Sequence, residues 1–188
     1  MNPDNFPATP PETKSQRLFF ALWPPLELSR ELYSVAGRAL EGEARRVPPE
    51  NIHLTLAFLG SVKPSFRQCA EQVAAAIRTG SFTLTLEQIG CWPKSGILWA
   101  GPRHTPEPLS RLVRELNAGL AACGYVPEER SYAAHLTLAR KLRRFNKNLS
   151  IDPLVWDVRR FCLVQSHTLA ERARYEIIRS WELNSAER

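Results

Sequence analysis

The stretch IHLTLAF at residues 52–58 returns as AHLTLAR at residues 134–140. Each copy alternates polar and apolar residues, which is typical of a half-buried β-strand. Successive side chains of a strand point to opposite faces, so the histidine and threonine of each copy share one face and the two leucines share the other. A duplicated strand of this kind predicts two related lobes, each contributing one copy.

The segments around the two copies predict further strands and three amphipathic helices. The helices are expected around the apolar stripes of residues 28–39, 66–77 and 109–120, and the strands at residues 17–23, 82–86, 97–101, 159–166 and 174–183. We expect the strands at 82–86 and 97–101 to pair as a hairpin. Helices and hairpins on both sides of the repeated strands indicate an α+β protein.

Composition limits the class of protein. With 188 residues, of which 44% are apolar, the chain can bury a sizeable core. Residues 1–16 are rich in Pro and Thr and are predicted to be a disordered tail, followed by a single bilobal domain at 17–188. A net charge of +6 permits a polyanionic partner.

Apolar runs and cysteines suggest where the protein resides. No run approaches the roughly 18 to 20 residues needed to span a bilayer, and the N-terminal segment has no apolar core, so we expect no membrane partner and a cytoplasmic location. The four cysteines are widely separated and form no Cys-x-x-Cys pair, which favours four reduced thiols. They are Cys69, Cys91, Cys123 and Cys162.

The repeated motifs carry the candidate chemistry. His53 and Thr55, and likewise His135 and Thr137, are spaced so that each pair can reach one phosphate-sized group. Two imidazoles without a carboxylate cluster suit general acid–base catalysis of phosphoryl transfer, with one activating water and the other protonating the departing oxygen. The threonine hydroxyls can donate hydrogen bonds to the phosphate oxygens.

Other residue patterns argue against a metal or cofactor. No His-x-His pair, His-Glu-x-x-His motif, close Asp/Glu set or glycine-rich nucleotide loop accompanies the two histidines, so neither a metal nor a cofactor is expected. The remaining histidines, His104 and His167, lack the histidine-x-threonine spacing and are expected at the surface.

These motifs, in this order, resemble the two-histidine phosphoesterase superfamily, and within it the RNA 2',3'-cyclic phosphodiesterases also called 2'-5' RNA ligases. The similarity runs from residue 17 to residue 183 and includes RLFFALWPP, IHLTLAFLG, GILWAGP and AHLTLARK. It implies a bilobal α+β fold with two pseudo-symmetric antiparallel-sheet lobes, helices outside and a central cleft. The family often has proline before the second histidine, where this chain has Ala134.

The resemblance also implies an activity. It implies that RNA ends or nucleotides with a 2',3'-cyclic phosphate are opened to 2'-phosphates without a metal, by a monomeric enzyme, with a reversible 2'-5' joining activity as a family trait. His53 would be the proton donor and His135 the proton acceptor. Arg140 matches a basic substrate-contacting position, although strict alternation points it away from His135 unless a bulge or strand end intervenes.

Several alternatives stay open from the sequence. Phe20, Trp23, Phe58 or Tyr132 could stack on a base, or pack in the core instead. A non-catalytic module could bind RNA or a phosphorylated nucleotide through the basic residues after the second motif, Lys141, Arg143, Arg144 and Lys147. Within the enzyme class, a 2'-5' oligonucleotide hydrolase or an ADP-ribose cyclic phosphate hydrolase could use the same cleft.

Overall fold

The computed structural model describes residues 15–146, 150–168 and 173–183, which form three α-helices and ten strands. The helices are α1 (Leu26–Ala39), α2 (Pro64–Ala76) and α3 (Glu107–Ala121). The strands are β1 (Gln16–Leu22), β2 (Arg45–Arg46), β3 (Leu54–Val62), β4 (Phe82–Leu86), β5 (Gln88–Trp92), β6 (Ile97–Gly101), β7 (Leu136–Arg140), β8 (Leu154–Val158), β9 (Arg160–Thr168) and β10 (Ala173–Glu182).

The two repeated motifs meet at the middle of the large sheet. Its strand order is β10-β9-β1-β3-β7-β6-β5, with β2 paired to the outer part of β7. Strands β3 and β7 are antiparallel and join where Leu54 pairs with Leu136, which is the same position of the two motifs. This self-matching contact relates the two halves by a pseudo-twofold axis, as expected for two lobes with a cleft between them.

The helices form where apolar residues recur at helical spacing. Each helix begins directly after a proline or with one, where the missing N–H costs no hydrogen bond. The predicted stripes of α1 and α3 are confirmed, since every one of their core-facing positions is buried. Those positions are Leu28, Leu32, Val35, Ala39, Leu109, Leu112, Val113, Leu116 and Leu120. No helix of the described ranges is long and apolar enough to cross a membrane.

Helices α2 and α3 approach each other closely. A Cβ atom on Gly119 would lie 2.5 Å from the Val73 side chain, so glycine permits this contact. The same approach brings Cys69 of α2 next to Cys123, just beyond α3, and the two form a disulfide with their Cα atoms 5.9 Å apart. The prediction of four reduced thiols is therefore wrong, because a separation of 54 residues in sequence hid the neighbouring positions. Cys91 and Cys162 are free.

The predicted hairpin between residues 82–86 and 97–101 is also wrong. Strand β6 pairs with β5, whereas β4 pairs with β8 in a separate two-stranded sheet. Strand β5 lacks apolar alternation and contains Gly90, where a Cβ atom would lie 2.4 Å from the Trp99 indole. The indole lies across the strand at this point, so the glycine that concealed the strand in the sequence is what allows its packing.

The start of the domain differs by one residue from the expected boundary. Gln16 already belongs to β1, and its side-chain amide donates to the Gln165 side chain at 2.8 Å. The rest of the predicted tail lies outside the described residues, so the division into a tail and one domain stays a prediction.

Candidate active site

His53 and His135 occupy the residues directly before β3 and β7, and their rings are held in the same way. The Nδ1–H of His53 donates to the Asn51 carbonyl at 2.7 Å, and that of His135 donates to the Ala133 carbonyl at 2.8 Å. A carbonyl oxygen can only accept, so each ring must carry its hydrogen on Nδ1. The opposite atom of each ring, Nε2, is therefore the one left for proton transfer.

One cavity of about 610 Å³ brings the predicted residues together. Its walls include all six candidate site residues of the sequence, namely His53, Thr55, Tyr132, His135, Thr137 and Arg140. Strands β3 and β7 pair at Leu54 and Leu136, directly after the two histidines. The histidine and the threonine of each motif therefore face the same cavity from the two lobes.

His53 is enclosed by aromatic rings. Trp23 stacks on it at 5.0 Å between centroids, Phe19 lies 4.9 Å away, and Tyr175 meets it edge-on at 5.1 Å. The pKa of His53 is lowered from 6.5 to about 4, chiefly by burial among these rings. The Asn51 hydrogen bond opposes this shift, and the positive charge of Arg140 and the neighbouring His135 contribute to it. The ring is accordingly neutral in the free protein at neutral pH.

His135 has a more open setting. Trp92 meets its ring edge-on at 4.5 Å, and Trp92 in turn packs on Trp99 at 5.7 Å. Burial lowers the pKa of His135 as well, with Arg140 and Arg130 acting in the same direction and the Ala133 hydrogen bond opposing them. Both imidazoles therefore start out neutral and gain a proton more readily when an anion enters.

A bulge in β3 turns an aromatic side chain into the cavity. Thr55 and Ala57 pair with consecutive residues of β1, so Leu56 is an extra residue in β3. The extra residue reverses the alternation beyond it, and Phe58 consequently lines the same cavity as His53 instead of pointing to the opposite face. Its ring is 44% exposed and carries the Arg17 guanidinium 4.8 Å above its centre.

The matching bulge in β7 acts on Arg140. Thr137 and Ala139 pair with consecutive residues of β6, so Leu138 is the extra residue there. Arg140, which strict alternation would direct away from His135, therefore lines the cavity with both histidines. The structure thus contains the bulge that a substrate-contacting Arg140 requires. Lys141 follows with a positive φ of 58°, where the chain leaves the strand.

Tyr132 braces the segment before β7 against β3. Its hydroxyl donates to the Thr55 carbonyl at 3.0 Å while its ring forms part of the cavity wall. Burial raises the pKa of the phenol, so the hydroxyl stays protonated as a donor. Stacking of this ring on a base stays a prediction.

Comparison with known proteins identifies the family. The sequence profile described as the 2'-5' RNA ligase superfamily matches residues 23–169, which contain both motifs. This chain belongs to that superfamily. Among its relatives, the Escherichia coli K12 protein named RNA 2',3'-cyclic phosphodiesterase is 34% identical over 91% of this chain and 98% of its own length. The Archaeoglobus fulgidus protein of the same name is 28% identical over 81% of this chain and 88% of its own length.

Solved structures of the superfamily share the fold. The crystal structure of E. coli LigT complexed with 3'-AMP superposes with a TM-score of 0.80 at 33% identity, covering 90% of this chain and 99% of that one. LigT complexed with phosphate gives a TM-score of 0.79 at 32% identity, with coverage of 92% and 99%. The bilobal α+β phosphoesterase fold predicted from the sequence is confirmed.

The remaining predicted groups are arranged differently. Lys141, Arg143 and Arg144 are not part of the wall around the histidines of this superfamily member, and Lys147 lies outside the described residues. His104 is exposed, and His167 pairs with Glu176 at 3.0 Å on the far strands β9 and β10. Within residues 15–146, 150–168 and 173–183, no group of three or more His, Cys, Asp or Glu could hold a metal ion.

The sequence reasoning missed the aromatic residues that surround the histidines. Phe19, Trp92 and Tyr175 were not singled out, because they come from three strands that are distant in sequence. Trp23, for which the sequence left base stacking and core packing open, stacks on His53. The aromatic content of β1 and the adjoining Trp23 is the one signal for these neighbours in the sequence. The same pattern is equally typical of residues that pack in the hydrophobic core.

Proposed function

We propose that this chain hydrolyses the terminal 2',3'-cyclic phosphate of RNA to a 2'-phosphate without a metal ion. One observation carries the proposal: His53 and His135 stand at matching positions of paired strands and open onto one cavity. Their fixed Nδ1–H groups leave both Nε2 atoms for proton transfer. The similarity to the E. coli protein named RNA 2',3'-cyclic phosphodiesterase supports the substrate class.

Two proton transfers accompany one displacement at phosphorus. His135 Nε2 takes a proton from water as the water oxygen attacks phosphorus. The bond between phosphorus and the 3' oxygen breaks, and His53 Nε2 gives its proton to that oxygen, which leaves a 2'-phosphate and a 3'-hydroxyl. His53 must be protonated at the start, so the negative charge of the bound cyclic phosphate has to raise its pKa from the value near 4.

The other cavity residues stabilise the charge that builds on phosphorus. The hydroxyls of Thr55 and Thr137 donate to the two non-bridging oxygens, one from each lobe. Arg140 adds a permanent positive charge from the end of β7. If the 5'-hydroxyl of a second RNA replaces the water, the same groups produce a 2'-5' linkage.

Histidine variants test this proposal. His53→Ala and His135→Ala are each expected to lower turnover of a 2',3'-cyclic nucleotide by about 10² to 10⁴. His104→Ala and His167→Ala are the matched controls, because both lie outside the cavity and should keep native turnover. Folding of each variant is checked by thermal unfolding.

Product analysis separates the enzyme from a binding module. Native protein in the presence of a chelator should convert the cyclic phosphate to the 2'-phosphate. Binding without any product, or full turnover in either cavity variant, would overturn the proposed function. A strict requirement for added Mg²⁺ or Zn²⁺ would overturn the metal-independent mechanism.

A monomeric state and a cytoplasmic location stay predictions. The Cys69–Cys123 disulfide bears on the location, since disulfides are rare in reducing compartments. Counting reactive thiols immediately after lysis under thiol-trapping conditions would show whether the bond exists in the cell.

A further inference from the structure

A second cavity opens beside His53, and three of its eight lining residues are arginines. It measures about 400 Å³ and is lined by Arg45, Arg46 and Arg140 along with Val47, Pro48, Asn51, His53 and Tyr175. No lining residue is acidic. We refer to it as the arginine pocket. It shares Asn51, His53 and Arg140 with the larger cavity, so the two spaces meet at the proposed reaction centre.

The backbone register places two of these charges directly opposite each other. Arg45 of β2 pairs with Arg140 of β7 across the antiparallel ladder, so their side chains leave the sheet on the same face. An anion that enters the pocket on this face is attracted by both guanidinium charges.

The third arginine is held in place by α1. The Arg46 guanidinium lies 4.2 Å above the centre of the Tyr33 ring, and one of its terminal nitrogens would be 3.2 Å from a Cβ atom on Gly37. Arg46 follows Arg45 in β2, so its side chain leaves the opposite face of the strand, toward α1. Arg45 and Arg140 are therefore the arginines that share one face beside the proposed reaction centre.

The two cavities differ in the ligand groups they suit. The larger one offers the rings of Phe58, Trp92 and Tyr132, which suit the face of a base. The arginine pocket offers guanidinium groups, which match the planar, bidentate geometry of phosphate oxygens. In a nucleotide whose cyclic phosphate lies between the histidines, the base is attached at one end of the ribose, at C1', and the 5' oxygen extends from the other end, at C4'.

We propose that the arginine pocket binds the phosphate attached to the 5' oxygen of the terminal nucleotide, with Arg45 as its dedicated contact. This inference rests on the proposed function. The phosphate could be the diester that continues an RNA chain or the monoester of a 5'-phosphorylated nucleotide, since both place an anion at the same atom. The pocket thus makes the enzyme select substrates by what lies on the 5' side of the reacting end.

Three substrates test the inference. Values of kcat/KM are measured for adenosine 2',3'-cyclic phosphate with a free 5'-hydroxyl, with a 5'-phosphate, and as the 3' residue of the dinucleotide ApA ending in cyclic phosphate. The native protein is expected to prefer at least one of the phosphate-bearing substrates over the 5'-hydroxyl compound by about tenfold or more, because hydrogen bonds from a guanidinium to a phosphate are roughly twice as strong as neutral ones. The arm that shows the preference identifies a diester or a monoester as the source.

Variants tie the preference to the pocket. Arg45→Gln is expected to reduce the ratio of kcat/KM between the preferred substrate and the 5'-hydroxyl compound by several-fold or more. Arg114→Gln is the control, because it removes the same charge from an exposed position on α3 paired with Glu107. Equal turnover of all three substrates by the native protein, or an unchanged ratio in Arg45→Gln, would overturn the inference.

The failure of this inference differs from failure of the proposed function. If the native protein hydrolyses the 5'-hydroxyl compound but shows no 5'-phosphate preference, only the inference fails. If it hydrolyses none of the three substrates, the proposed function itself fails. An equal loss on all substrates in Arg45→Gln would assign that residue to the cyclic phosphate and overturn its dedicated role.

Discussion

The two HLTL motifs are identical in sequence and are held by the same backbone hydrogen bond, yet their histidines have different surroundings. His53 is enclosed by the three rings of Phe19, Trp23 and Tyr175, whereas His135 meets the single ring of Trp92. The pKa of His53 falls to about 4 for this reason. A buried imidazole that resists protonation gives up a proton readily, so His53 suits the proposed donor role once the charge of the bound anion has raised its pKa enough for it to take a proton from solvent.

The two lobes also differ at the residue that follows each bulge. The first lobe directs Phe58 into the cavity and the second directs Arg140, from corresponding positions in β3 and β7. The same backbone geometry therefore occurs twice, and the residue that follows each bulge brings an aromatic ring to the cavity from one lobe and a guanidinium from the other. The backbone thus sets where a group points, and the local side chains set what it does.

The largest expected effect is the loss of turnover in the two histidine variants. The pH dependence of the residual turnover should differ between them. Both single alanine variants should lose about 10² to 10⁴ in turnover. In His53→Ala the remaining reaction needs the neutral base His135, so its rate should rise with pH until that base is deprotonated. In His135→Ala the remaining reaction needs protonated His53, so its rate should fall as pH rises.

Rate measurements from pH 4 to 8 on both variants check this assignment. Opposite slopes would support an acid at 53 and a base at 135. Slopes of the same sign, or slopes reversed between the variants, would contradict the assigned roles while leaving the two-histidine site intact.

A smaller effect on the kinetics is expected from replacing Phe58 or Arg140, the residues that follow the bulges in β3 and β7. Arg140→Gln should lower kcat by about 10², because it removes a preorganised charge that acts on the transition state. Phe58→Ala should mainly raise KM, by about tenfold, because base stacking on an aromatic ring contributes about 1 to 3 kcal/mol to binding. Steady-state kinetics on a cyclic mononucleotide distinguish the two outcomes. If both variants change kcat and KM in the same way, Arg140 and Phe58 do not have separate roles in transition-state stabilisation and substrate binding.

Much of the fold could be read from local sequence because it depends on local periodicity. The apolar stripes of α1 and α3 and the alternation of β4 predicted those elements, since each period reports burial of one face. The duplicated motifs located His53 and His135 because the same four residues occur twice in strand context. All of this information lies within short windows of the chain.

The rest of the site depends on pairing between distant segments, which local patterns do not report. The bulges at Leu56 and Leu138 exist only relative to the neighbouring strands β1 and β6, so the sequence could raise the problem of Arg140 but not resolve it. Tyr175 reaches His53 from β10, more than a hundred residues away. The Cys69–Cys123 bond depends on the packing of α2 against α3 in the same manner.

The smallest expected effect concerns stability as a function of pH. The unfolded chain protonates His53 near pH 6.5 and the folded protein does so only near pH 4, so the contribution of the neutral ring is complete above pH 6.5 and is lost as pH falls toward 4. The loss amounts to at most about 3 kcal/mol.

Denaturant unfolding at pH 7 and at pH 4.5 gives this change in the free energy of unfolding for each protein separately. Stability lost through poorer packing in a variant is present at both pH values and cancels in the difference. The fall in the free energy of unfolding from pH 7 to pH 4.5 should be smaller in His53→Asn than in the native protein. His135→Asn should reduce this fall by less, because the His135 ring has fewer aromatic neighbours. Equal reductions would mean that the two rings resist protonation equally, and the aromatic enclosure of His53 would then not distinguish the two lobes.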